Sequence, residues 1–176
     1  MRLFVSLDIP EEISEYLEEV SSKLPHYGIK KVHDFHLTLK FLGEIDDSKV
    51  SDVVKCLKSV KFNSFKLKLS EIGYFPNRSR LDSVWIGVEP LDELKRLQES
   101  VESALSSFGV VNDHPFKAHI TLCRIKYLKN TKFFIDKVNN IKLEKKSFLV
   151  SGFKLMKSTL TPEGPIYEDV EEYFLE

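Results

Sequence analysis

Two short phrases carry the chemistry in this chain. His36-Leu37-Thr38-Leu39 recurs as His119-Ile120-Thr121-Leu122. The chain holds only five His and five Thr, and shuffling its residues yields roughly 0.02 copies of His-x-Thr-Leu. Two copies are therefore a repeat. A single His-x-Thr phrase is structural about four times in five; repetition with both residues in phase reverses those odds. Each phrase offers an imidazole and a hydroxyl. Two facing imidazoles suit in-line displacement at phosphorus. The neutral one accepts a proton from attacking water, and the protonated one delivers a proton to the leaving oxygen. Both roles need a pKa near neutrality, which His supplies without large tuning. The two groups must stand on opposite sides of the phosphorus, which two sequence-distant strands provide and one strand does not. Thr38 and Thr121 would donate hydrogen bonds to the non-bridging oxygens, where charge changes in the transition state.

Strands must hold these groups. Both phrases sit in apolar, β-favouring surroundings, and strand side chains alternate in direction. His36 and Thr38 then share one face, as do His119 and Thr121, while Leu37, Leu39, Ile120 and Leu122 point to the core. Around the first phrase, Leu3 to Asp8 reads as a buried strand. Pro10 opens a helix with Ile13, Leu17, Val20 and Leu24 at helical spacing. A loop from Pro25 to Lys31 leads to the His strand, which Gly43 ends. A second helix starts at Asp46-Asp47-Ser48, with Val50, Val53, Val54 and Leu57 as its stripe. Phe65, Leu67 and Leu69 alternate with Lys66 and Lys68 as a half-exposed strand. Gly73 to Arg80 reads as a loop, and Ser83 to Val88 as a strand holding the only Trp, Trp85.

After Pro90, Leu91, Leu94, Leu97, Val101, Leu105 and Phe108 predict one long amphipathic helix. A loop with Gly109, Asn112, Asp113 and Pro115 precedes the second His strand. A helix over Thr131 to Val138 follows, then strands over Lys145–Leu155 and Ile166–Phe174. The order helix, His strand, helix, further strands occurs twice. The chain therefore reads as a duplicated α+β unit, one domain over residues 1–176 with halves of roughly 1–90 and 91–176.

Composition narrows the class. A chain of 176 residues, 42% hydrophobic with 13 Phe, is enough for a sizeable core. Its 26 basic and 27 acidic residues nearly cancel, which excludes a generally basic nucleic-acid binder and leaves only local patches for RNA. Cys56 and Cys123 form no disulfide framework and no metal spacing, which points to a reducing cytoplasm. The N-terminal segment lacks the marks of a signal peptide, and no stretch is long and apolar enough to span a membrane.

The chain resembles the LigT-like RNA 2′,3′-cyclic phosphodiesterases, or 2′-5′ RNA ligases, of the 2H phosphoesterase superfamily. Arg2 to Asp8 is similar to the family's opening strand, and His36 to Glu44 to its first motif. Phe75-Pro76-Asn77-Arg78 with Val84-Trp85-Ile86-Gly87-Val88 resembles its middle, and Phe116 to Arg124 its second motif. Ser158-Thr159-Leu160 through Gly164-Pro165-Ile166-Tyr167 resembles its closing segment. Ala118 stands where the family usually carries Pro, which loosens the approach to the strand without touching the reacting groups.

The resemblance implies two lobes, each a small antiparallel sheet with outer helices, around a central groove carrying both HxTx motifs. It implies hydrolysis of an RNA 2′,3′-cyclic phosphate to a 2′-phosphate without a metal or other cofactor. His36 would be the proton donor and His119 the proton acceptor, although the near-symmetric halves do not themselves orient the pair. With those roles exchanged, the reverse direction would join a cyclic phosphate to a 5′-hydroxyl through a 2′-5′ bond. The expected partner is RNA with a 2′,3′-cyclic phosphate end, tRNA fragments included. The expected state is a cytoplasmic monomer with no membrane and no obligate protein partner. Arg124 is implied as the phosphate clamp, yet simple alternation puts it out of phase with His119 and Thr121, so it needs a bulge to reach the site.

Other residues carry plainer readings. His33 and His36 form His-x-x-His, but on a strand they face opposite ways and no cluster completes a metal site. His26 and His114 lie beside Pro turns. Cys123, in phase with His119, reads as a small packing residue. Lys30, Lys31, Arg78, Arg80, Lys117, Lys126, Lys129 and Lys132 are candidates to line an RNA groove, each weighed against an ordinary solvated face. Phe41, in phase with Leu37 and Leu39, reads as core, which leaves Tyr74 and Phe75 as the better base-stacking candidates. Three other functions compete. A phospholipase D-like His nucleophile needs Lys where Thr38 and Thr121 stand. A non-catalytic RNA-end binder would not need both His. The same chemistry on 2′-5′ oligonucleotides or small cyclic phosphates is not separated by sequence.

Overall fold

A computed structural model describes residues 1–77, 80–110 and 115–176. Arg78, Asn112, Asp113 and His114 lie outside the described residues. The elements run β1 (Arg2–Asp8), α1 (Glu11–Ser22), β2 (Ile29–Lys31), β3 (His36–Glu44), α2 (Val50–Lys58), β4 (Phe65–Asn77) and β5 (Arg80–Glu89). Then come α3 (Asp92–Ala104), β6 (His119–Ile125), α4 (Thr131–Asn139), β7 (Ser147–Val150), β8 (Gly152–Thr161) and β9 (Gly164–Phe174). Among the described residues no helix is long and apolar enough to cross a membrane.

The strands form two antiparallel sheets, ordered β3-β1-β8-β9 and β2-β6-β5-β4-β7. The two sheets are not the two halves of the chain. After α2 the chain crosses to pair β4 with β5, and after β7 it returns to pair β8 with β1. The helices reciprocate, α1 packing beside β6 and α3 beside β3. Each His strand therefore rests on a helix from the opposite half. One apolar cluster runs through both sheets and all four helices.

That core fixes the register of the motif strands. Leu37, Leu39, Ile120 and Leu122 are no more than 2% exposed, and burying side chains of this size stabilises by about 1.5–3 kcal/mol each. A one-residue slip would drive the imidazoles into the core. β3 and β6 share one burial pattern along seven residues, half-buried, buried, half-buried, buried, buried, exposed, buried. The doubled buried step is a β-bulge in each strand. Ser6 and Val5 face Thr38 and Lys40, and Trp85 and Val84 face Thr121 and Cys123, so one partner step spans two motif-strand steps.

Several sequence expectations change here. Gly73–Asn77 is part of β4, because pairing with β5 outweighs its turn-forming residues; Pro76 sits at a register shift, where a missing N–H is tolerated. The segment Lys145–Leu155 is two strands in different sheets, divided at Ser151. The long helix ends at Ala104, a short 3₁₀ turn carries Ser106–Phe108, and Leu91 is exposed.

Lys40 is the largest fully buried side chain among the described residues, 1% exposed. Its ammonium donates to Glu102 Oε1 at 2.5 Å and to the Val110 carbonyl at 2.9 Å, tying the β3 bulge to α3. Lys40→Ala is expected to cost about 3 kcal/mol in denaturant unfolding, from lost packing and an unpaired carbonyl. Lys40→Met, which keeps the stem, should cost clearly less.

Candidate active site

The two bulges decide which side chains share the faces of His36 and His119. Past each bulge the alternation reverses, so Arg124 regains the face of His119 and Thr121 and is exposed. By the same shift Cys123 leaves that face and is fully buried. Phe41 is corrected as well: it is 56% exposed and lies on the face of His36 and Thr38. Phe41 and Arg124 are counterparts, one aromatic and one cationic. β3 and β6 approach each other across the two sheets.

Both imidazoles are gripped in the same way. His36 Nδ1 donates to the Asp34 carbonyl at 2.8 Å, and His119 Nδ1 donates to the Lys117 carbonyl at 2.7 Å. This fixes the Nδ1–H tautomer and leaves each Nε2 for proton transfer. Aromatic rings flank both. Phe4 and Tyr167 stand 5.3 and 5.1 Å from His36, Tyr167 edge-on. Phe75 and Trp85 stand 4.8 and 6.3 Å from His119, both edge-on. The Trp85 ring lies over Gly73, where a Cβ would come within 2.5 Å of it. Phe75 is thus a wall of the His119 site, and Tyr74 packs against the core.

Burial is the main cause that pushes both imidazoles below the ordinary 6.5. Arg124 adds to this at both, and the charge of His36 lowers His119 further. One guanidinium and two imidazoles therefore share one field. The unfolded chain protonates first, so the stability these residues allow at neutral pH is lost as pH falls from about 6.5 through their folded values. The neighbours differ in sign. Asp34 and Asp8 raise His36, whereas Lys117 lowers His119. Asp8 lies directly across from His36, while Gly87 lies across from His119. Lys154 holds Asp8 and Asp169 at 2.6 and 2.7 Å, and the Lys117 ammonium sits 4.4 Å over Trp85.

The strands beside the motifs hold residues the sequence reading missed. Ser6, paired with Thr38, and Trp85, paired with Thr121, occupy equivalent places in the two sheets, and Ser83 pairs with Arg124. Their Oγ and Nε1 atoms are buried without a hydrogen-bond partner among the described residues. The signal was thin: β1 reads as one apolar run, so only Ser6 and Asp8 betray its groove face. His33 pairs with Glu18 at 2.7 Å on the surface. Arg124 reaches Asp82 at 3.3 Å.

The arrangement offers two proton-transfer nitrogens, two hydroxyls and one guanidinium around a groove, a set suited to a phosphodiester. The sequence profile of the LigT like Phosphoesterase family matches residues 3–85 and again 86–167. An RNA 2′,3′-cyclic phosphodiesterase of Archaeoglobus fulgidus is 38% identical, covering 98% of this chain and 99% of its own. One of Methanocaldococcus jannaschii is 35% identical, covering 98% and 100%. The crystal structure of TT0787 of Thermus thermophilus superposes with a TM-score of 0.85 at 30% identity, covering 99% of this chain and 97% of that one. A duplicated profile and full-length likeness agree with the two equivalent motif strands, and this chain belongs to the LigT-like phosphoesterase family.

Proposed function

We propose that this chain is an RNA 2′,3′-cyclic phosphodiesterase, the activity for which its relatives are named. The supporting observation is the pair of imidazoles held identically through Nδ1 with Nε2 left for proton transfer. Nε2 of His119 takes a proton from water as the water oxygen bonds to phosphorus. The bond from phosphorus to O3′ breaks on the opposite side, and His36 delivers its Nε2 proton to O3′. A 2′-phosphate and a 3′-hydroxyl result, and proton exchange with solvent resets the pair. Thr38, Thr121 and Arg124 hold the non-bridging oxygens as their charge changes.

Charge supports this division of roles. The carbonyl gripping His36 belongs to Asp34, and the one gripping His119 belongs to Lys117. With one proton on the coupled pair, Asp34 and Asp8 favour its residence on His36, while Lys117 disfavours it on His119; Arg124 lowers both. The near-symmetric repeat thus becomes a directed acid and base.

Proton transfer and charge stabilisation are both assigned to side chains. Hydrolysis of RNA ending in a 2′,3′-cyclic phosphate is therefore expected to run equally fast with and without excess EDTA. Strict dependence on an added divalent metal would sink the mechanism.

A further inference from the structure

We propose that the end of the β2–β6 ribbon beyond Arg124 is a track for single-stranded RNA, holding the nucleotides that precede the terminal cyclic phosphate. The proposal rests on the phosphodiesterase reading. Lys30 pairs directly with Arg124 and shares its face. Its ammonium lies against Gly164 in the β8–β9 turn, where φ is +130° and a Cβ would overlap it. Lys30 therefore carries positive charge from one sheet to the hairpin of the other, beside Arg124.

Tyr27 precedes Lys30 by three residues, and Tyr127 follows Arg124 by three. Their rings meet edge-on, 5.2 Å apart at 89°. They are 55% and 51% exposed, so the core does not need them. The Lys129 ammonium stands 4.4 Å from the Tyr27 ring. The backbone beneath is fixed: the Gly28 carbonyl accepts from the N–H groups of Lys126 and Tyr127 at 2.8 and 3.2 Å. Gly28 has a φ of +79°, and the Tyr127 carbonyl leaves no room for a Cβ there.

Rigid exposed aromatics beside lysines are what single-stranded nucleic acid needs, with bases on the rings and phosphates on the cations. On a chain of net charge −1, this stripe gives local attraction without general basicity. The substrate's shape agrees. The C2′–C3′ edge of the terminal ribose carries the phosphate, while the base on C1′ and the chain on C4′ leave the ring on opposite flanks. With the phosphate on Arg124, the upstream chain runs past Lys30 to the tyrosines, and the terminal base turns toward Phe41.

The test compares an oligonucleotide ending in a 2′,3′-cyclic phosphate with a mononucleoside 2′,3′-cyclic phosphate. Tyr27→Ala with Tyr127→Ala should lower kcat/KM about ten-fold on the oligonucleotide and leave the mononucleotide unchanged. Tyr27→Phe with Tyr127→Phe, which keeps the rings, should restore the oligonucleotide rate. Affinity for a single-stranded RNA ending in a 3′-hydroxyl should fall in the Ala pair by a similar factor. Unchanged oligonucleotide kinetics and affinity, or equal losses on both substrates, would overturn the track. If the unaltered chain hydrolysed neither substrate, the phosphodiesterase reading would fail, and the affinity comparison alone would still decide the track.

Discussion

His36→Ala and His119→Ala are each expected to lower kcat on a cyclic-phosphate RNA by about 10²–10⁴-fold, the usual worth of a positioned acid or base. The double variant should lose little more than the worse single one, because the two residues act as one unit. The fold should survive, since both rings lie half-buried in the groove while Leu37 and Ile120 anchor the strands. The singles should differ on a nucleoside phosphodiester with an activated aryl leaving group. Such a group departs without a proton, so His36→Ala should recover most of its rate and His119→Ala should not. Recovery by His119→Ala instead would reverse the roles that Asp34, Asp8 and Lys117 support.

Arg124→Gln should lower kcat by about 10²–10³-fold, the scale for removing one donor from a developing oxyanion, and should also move the pH profile. Burial first, and Arg124 next among its charged neighbours, hold His119 below 6.5; burial and Arg124 also lower His36. For the unaltered enzyme, kcat/KM should follow a bell whose alkaline limb begins below about 6.5, because the proposed mechanism needs a proton on His36 and none on His119. Removing the guanidinium raises both imidazoles and shifts the whole bell to higher pH. A lost rate with an unmoved bell would mean that Arg124 acts away from the histidines, for instance through Asp82 alone.

The motif was legible because its two periodicities coincide. Alternation put His36 with Thr38 and His119 with Thr121, and the core took the residues between. The bulges were not legible, since an extra residue is defined only against the neighbouring strands β1 and β5. Everything downstream of them therefore differs in phase, which brings Arg124 and Phe41 to the groove and sends Lys40 and Cys123 to the core. Resemblance implicated Arg124 before geometry did, and the bulge it required is present. The exchange of strands between sheets was hidden for a similar reason. Ser151-Gly152 carries a turn signal inside an apolar run, but only pairing with β4 on one side and β1 on the other reveals the change of sheet. The aromatic walls were hidden too, because Phe4 and Trp85 look like core residues until their strands are known to be central in each sheet.

The most direct test is the fate of a single phosphorus. An RNA ending in a 2′,3′-cyclic phosphate, incubated with the protein and EDTA in ¹⁸O-labelled water, can be followed by ³¹P NMR and mass spectrometry. The account predicts a 2′-phosphate carrying one solvent oxygen, formed by the unaltered chain and lost with either His36→Ala or His119→Ala. A 3′-phosphate, or turnover that survives loss of either imidazole, would contradict it.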